Sequence, residues 1–157
     1  MSLAGVALRP IRASDDAFLR KVYAQSRERE LARVDWSPQA RRAFLDGQFD
    51  AQHTHYQRHW PAARFDVIER DGTPIGRLYV GALERELRLI DIALLRDERG
   101  RGVGGALVAA LQDEAGARGS RIVLHVEPDN PARELYVRLG FRERGDEGAY
   151  VRMDWRP

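Results

Sequence analysis

The chain contains no cysteine and a single lysine, Lys21. Without thiols there can be no disulfide, no thiolate zinc site and no cysteine nucleophile. A cytoplasmic setting is the expectation that follows. Long hydrophobic runs are missing too. The longest nearly apolar stretch, Val103 to Leu111, falls far short of the ~20 residues a spanning helix needs, so no membrane partner is expected. Met1 to Gly5 carries no charged leader and does not read as a signal peptide. Charge of one sign is also absent, since 26 basic residues face 24 acidic ones. Arginines and acids alternate in runs such as Arg27-Glu28-Arg29-Glu30 and Arg142-Glu143-Arg144. Interleaving of this kind describes a solvated surface, not the one-signed stripe that binds nucleic acid. No nucleic-acid partner is expected, and the pI of about 9.3 reflects arginine's very high pKa.

What remains is a chain of 157 residues with 43% hydrophobic and 32% charged residues. That is the length of one domain and enough for a sizeable core. Residues 5–11 read as a short edge strand. Ser14-Asp15-Asp16 offers an N-cap for a helix to about Arg29, with Phe18, Leu19, Val22 and Tyr23 on one stripe. Ser37-Pro38 caps and starts a second helix running toward Tyr56. Three strands are predicted next, Phe65 to Arg70, Pro74 to Leu83 and Leu87 to Leu95, the first two joined by an Asp71-Gly72 turn. A helix then carries Val103, Leu107, Val108 and Leu111, with Gly116 and Gly119 as its stop. Arg121 to Glu127 is a buried-type strand. Asn130-Pro131 opens a short helix, and Phe141 to Arg144 and Ala149 to Trp155 close as an antiparallel pair. The order β-α-α-β-β-β-α-β-α-β-β is α+β, a meander feeding one βαβ unit. The closing hairpin offers an edge on which a second copy could pair, as a homodimer.

The turn Arg99-Gly100-Arg101-Gly102-Val103-Gly104-Gly105 is the strongest signal. Its glycines allow a tight turn and a close backbone approach. The following helix N-terminus and two arginines favour an anion such as a diphosphate. Gly100, Gly102 and Gly105 also satisfy the dinucleotide fingerprint GxGxxG, with Glu127 as its acid. Against that reading, charged Arg96-Asp97-Glu98-Arg99 separates the apolar strand from the first glycine. The dinucleotide fold also needs a series of parallel units.

Arg99-x-x-Gly102-x-Gly104 matches the [QR]xxGx[GA] motif of the GNAT superfamily, the acetyl-CoA-dependent N-acetyltransferases. Asn130-Pro131-Ala132-Arg133-x-x-Tyr136-x-x-x-Gly140-Phe141 is similar to the N-x-x-A-x-x-x-Y-x-x-x-G-F stretch of that family. The resemblance covers about residues 76–145. It implies a mixed, mostly antiparallel twisted sheet with one central βαβ unit and flanking helices. It implies acetyl-CoA as cosubstrate, its diphosphate on the amides of Arg99, Gly100, Arg101, Gly102, Val103, Gly104 and Gly105. The strand before the loop would be bulged, with the pantetheine arm pairing along Ile92, Ala93 and Leu94 and a Leu94 N–H facing the thioester oxygen. The strands Leu87–Leu95 and Arg121–Glu127 would splay to admit that arm. Tyr136 would protonate the leaving thiolate, and Asn130 and Arg133 would contact the cofactor.

The resemblance leaves the general base open. Asp91 is the acid well inside the strand before the loop, and its alternative role is to balance a neighbouring arginine. On the acceptor side, Trp36, His55, Tyr56 and His59 could line a pocket for an amine carried by a small molecule or peptide. His55 and His59 share a helix face but have no assigned acid partner, and no metal is expected. A non-catalytic acyl-CoA-binding domain is the competing function, with a dinucleotide binder behind it.

Overall fold

The computed structural model describes residues 3–157. The chain orders as β1 (Val6–Pro10), α1 (Asp16–Ser26), α2 (Glu28–Leu31), α3 (Pro38–His59), β2 (Arg64–Arg70), β3 (Thr73–Leu83), β4 (Glu86–Leu94), α4 (Val103–Arg118), β5 (Arg121–Val126), α5 (Ala132–Arg138), β6 (Arg142–Glu147) and β7 (Tyr150–Trp155). The strands form one seven-stranded sheet in the order β1-β2-β3-β4-β5-β7-β6. Every neighbouring pair is antiparallel except β4 and β5. The mixed, mostly antiparallel α+β architecture predicted from the sequence is therefore the observed one, and its single parallel pair does not supply the repeated units of a dinucleotide fold. Among the described residues, no helix is long and apolar enough to cross a membrane.

The two faces of the sheet are covered differently. Leu78, Val80, Leu87, Leu89, Ile122, Leu124 and Met153 lie in one cluster with Val103, Leu107, Val108 and Leu111 of α4 and Tyr136 of α5. Each of these aliphatic side chains contributes about 1.5–3 kcal/mol by leaving water. A smaller cluster, Leu19 and Tyr23 of α1 with Phe49 of α3, joins the two helices on the opposite face. The expected stripe of α1 is thus real, although Phe18 is only half-buried.

Several boundaries moved for local reasons. Helix α1 stops at Ser26, and a separate short turn of helix follows at Glu28–Leu31. Ser37 caps α3 by accepting from the Ala40 N–H at 3.1 Å, with Pro38 in the first turn, as predicted. Gly116 does not stop α4. The helix runs through it, because a glycine in a helix costs only ~1 kcal/mol, and ends at Gly119, whose φ of 64° suits a left-handed cap. Phe141 is buried ahead of β6 instead of inside it.

Asp15, predicted to cap α1, turns back onto β1 instead. Its carboxylate accepts from the Arg9 guanidinium at 2.8 and 2.9 Å and from the Arg12 N–H at 2.7 Å. The Arg9 guanidinium is the main reason its pKa falls to about 2. A carboxylate with a lowered folded-state pKa adds stability that is complete above its ordinary value of ~3.9 and is lost as pH falls toward the lowered one. Thermal melts of Asp15→Asn should therefore lie below wild type at pH 6 and converge on it between pH 4 and pH 2. Parallel curves across that range would exclude the ion pair as the cause.

Candidate active site

The parallel pairing of β4 and β5 covers only Glu86–Leu89 against Arg121–Leu124. Beyond Leu89 the two strands part. The departure begins at a bulge, since Tyr79 faces Asp91 and Val80 faces Leu89, which leaves Ile90 as the extra residue on β4. A bulge re-aims the strand that carries it. The Leu95 N–H still donates to the Ile75 carbonyl on the β3 side at 2.8 Å. Backbone alternation then turns the N–H and C=O groups of Leu94 and Ile92 toward the gap. Gly76, opposite Leu94, holds this geometry, because any Cβ there would run into the Ala93 carbonyl.

The gap opens into a cavity of about 630 Å³. From β4 it is lined by Asp91, Ile92 and Ala93, from α5 by Tyr136, and from the preceding loop by Asn130. From α3 it receives His55 and Tyr56. The two faces of the sheet meet here. Arg77 and Asp91 alternate with the core residues Leu78, Val80 and Ile92, so they look toward α1 and α3, whereas Tyr136 approaches from the α4 and α5 side.

Tyr136 is 6% exposed and packs its ring 5.7 Å from that of Phe141. Burial, followed by the negative charge of Asp91, pushes its phenol above the ordinary tyrosine range. It stays a protonated donor at neutral pH. Asp91 is engaged by Arg77, whose guanidinium approaches the carboxylate at 2.5 Å and donates to the Gln52 side-chain oxygen at 2.9 Å. With Arg77 only 2% exposed, this ion pair neutralises a buried cation. Of the two roles open to Asp91 from sequence, balancing an arginine is the one its contacts display.

The glycine turn continues from the end of β4, outside the cavity lining. Gly100 and Gly102 have φ of 74° and 82°, conformations that glycine adopts without strain. The first bond of α4 is Ala106 N–H to the Gly102 carbonyl at 3.0 Å, and no side chain caps the helix. The amides of Val103, Gly104 and Gly105 therefore form an open positive end. The Arg99 side chain donates to the Leu94 carbonyl at 3.1 Å and fastens the turn to the strand, while Arg101 stays exposed. Gly105 is buried against Leu135 of α5. Asn130 Oδ1 accepts from the Ala132 N–H, the first of α5, at 2.9 Å.

Other predicted residues lie elsewhere. Arg133 is bound to Glu143 at 2.5 Å and to the Pro128 carbonyl at 2.9 Å, beside a second groove. Trp36 stacks edge-on to Phe44 at 5.1 Å and stays 40% exposed, away from the cavity. His59 also falls outside the lining, its ring 3.9 Å from that of His55. The cavity recruits instead Trp60, Arg88, His125, Glu127 and Glu147. Trp60 sits over Gly81, where a Cβ would strike its ring, and 5.5 Å from the Arg88 guanidinium. A glycine inside an apolar strand is the one sequence sign of such a close approach. Glu127, next to Glu30, has its carboxyl pushed up by burial and then by that second acid. Among the described residues, no cluster of three or more His, Asp or Glu side chains could hold a metal ion.

The model of the acetyltransferase (GNAT) family matches residues 19–141. An uncharacterized N-acetyltransferase of Methanocaldococcus jannaschii is 39% identical over 98 residues, 57% of this chain and 43% of that protein. A mycothiol acetyltransferase of Corynebacterium aurimucosum is 38% identical over 65 residues, 40% of this chain and 21% of that protein. The matched stretch thus spans less than half of either curated relative. Among solved structures, the PaiA N-acetyltransferase of Thermoplasma acidophilum, in complex with coenzyme A, superposes with a TM-score of 0.74 at 17% identity, each chain covered in full.

Proposed function

This chain belongs to the acetyltransferase (GNAT) family, and on that premise we propose that it moves an acetyl group from acetyl-CoA to a primary amine of a small molecule or peptide, by direct attack in a ternary complex. The observation that carries the reading is the gap beyond Leu89, which opens into a cavity lined by a buried phenol, while the strand that forms the gap runs on through the glycine turn to the open amides of α4. The 157 residues act as one unit, with about 14–60 facing the acceptor and about 76–145 holding the donor. A cytoplasmic setting goes with this reading.

The amides of Val103, Gly104 and Gly105 receive the diphosphate, where a helix N-terminus favours negative charge. The pantetheine arm adds itself as a strand along the gap-facing backbone of Ile92 and Leu94, beside the Leu94 carbonyl that Arg99 engages, with the thioester oxygen facing an N–H of β4. The amine comes from the α1 and α3 side, past His55 and Tyr56. As the tetrahedral intermediate collapses, the C–S bond breaks and Tyr136 gives its proton to the sulfur. Asp91 keeps Arg77 neutralised, and burial, followed by the Asp91 charge, keeps the Tyr136 phenol protonated.

Calorimetric titration with acetyl-CoA, coenzyme A and NAD at one salt concentration tests the donor. Micromolar binding of acetyl-CoA without NAD binding is expected, followed by thiol release with members of a primary-amine panel. Absence of coenzyme A binding would overturn the reading. Binding without transfer to any amine would favour an acyl-CoA-binding regulatory role.

A further inference from the structure

We infer that His125, oriented by Glu147, is the general base of the transfer; this rests on the acetyltransferase reading above. His125 lies on β5 just past Leu124, the last residue paired with β4, so it stands at the mouth of the gap. Its neighbours Leu124 and Val126 belong to the core cluster under α4, and alternation turns His125 to the opposite face, shared with Arg77 and Asp91. It lines the cavity from the side opposite Tyr136. Its Nε2 lies 2.7 Å from Glu147 Oε2, on β6. A carboxylate accepts, so Nε2 carries the hydrogen, and in the neutral ring Nδ1 is then the nitrogen with the lone pair. That is the base-and-orienter arrangement general-base catalysis requires.

The other acids of the cavity are engaged. Asp91 is bound to Arg77, and Glu127 faces the like charge of Glu30 with Arg27 at 3.9 Å. The proton balance is direct. Nδ1 takes one hydrogen from the amine nitrogen as the C–N bond forms, the C–S bond breaks, and the sulfur takes the hydrogen of the Tyr136 hydroxyl. The imidazolium proton then returns through solvent to the phenolate. Base and acid thus act from opposite faces of the split sheet.

The test uses bromoacetyl-CoA, whose methylene occupies the acetyl methyl position and which loses bromide to a nearby nucleophile. Wild-type protein is expected to take one equivalent, mapped to His125 by peptide mass spectrometry. His125→Gln should bind coenzyme A as wild type does in calorimetry, take up no label, and transfer acetyl at least ~100-fold more slowly at unchanged KM for acetyl-CoA. Glu147→Ala should slow labelling about tenfold and mix the two His125 tautomers in nitrogen-15 NMR. Glu147→Gln keeps an acceptor oxygen and should restore most of both. Label on another residue, no label despite coenzyme A binding, or full turnover by His125→Gln would overturn the assignment. Failure to bind coenzyme A at all would instead overturn the acetyltransferase reading beneath it.

Discussion

Tyr136→Phe is expected to lower kcat about 100-fold or more while leaving KM for acetyl-CoA within about twofold. The substitution removes one oxygen and keeps the ring. That ring packs against Phe141 and into the core under α4, so the fold and the walls of the gap are retained. What is lost is the proton donor proposed for the leaving thiolate. The pH dependence makes the assignment specific. Burial and Asp91 both disfavour the phenolate, raising the Tyr136 pKa. The donor form therefore persists above pH ~10, the ordinary tyrosine midpoint. Wild-type turnover should show no alkaline fall below that pH, and the ratio of wild type to variant should stay constant from pH 6 to 9. A variant equal to wild type across that range would exclude Tyr136 as the acid.

The glycine turn proposed to hold the donor is legible in the sequence, and the side proposed for the acceptor only partly so. Gly100, Gly102 and the period of Val103, Leu107, Val108 and Leu111 are local signals, and the turn and α4 form where they point. The acceptor side depends on which face of α3 meets the sheet. Over 22 residues α3 buries only Phe49, so its sequence carries almost no apolar stripe to orient it. Hence His55 and Tyr56 reach the cavity while His59 does not, and Trp36, which precedes the helix, also falls outside its lining. The pairing of His125 with Glu147 joins positions 22 residues apart through the order β5-β7-β6. Register of that kind is set by three strands together and has no signature in either residue. Gly76 and Gly81 interrupt a mostly apolar strand, but what approaches them, the Ala93 carbonyl and Trp60, belongs to tertiary structure.

Gly104→Asp should separate binding from folding. The position is in the first turn of α4, and a Cβ there meets only the end of Leu94 at 4.0 Å. Replacing a helical glycine recovers up to ~1 kcal/mol, and a carboxylate at a helix N-terminus adds about 0.3–1 kcal/mol more. The melting temperature should hold or rise. The same carboxylate would sit over the amides proposed to receive the diphosphate. Two like charges ~4 Å apart near a protein surface repel by about 4 kcal/mol before solvent and salt reduce it. Kd for coenzyme A is therefore expected to rise about 100-fold, and the loss should shrink as salt is added. Gly104→Ala, with a methyl group and no charge, should change Kd by no more than a few-fold. If Gly104→Asp melts at or above the wild-type temperature and binds coenzyme A unchanged, the diphosphate does not rest on α4. If both variants lose affinity equally, the requirement at this position is for backbone approach, and the helix charge is not what holds the ligand.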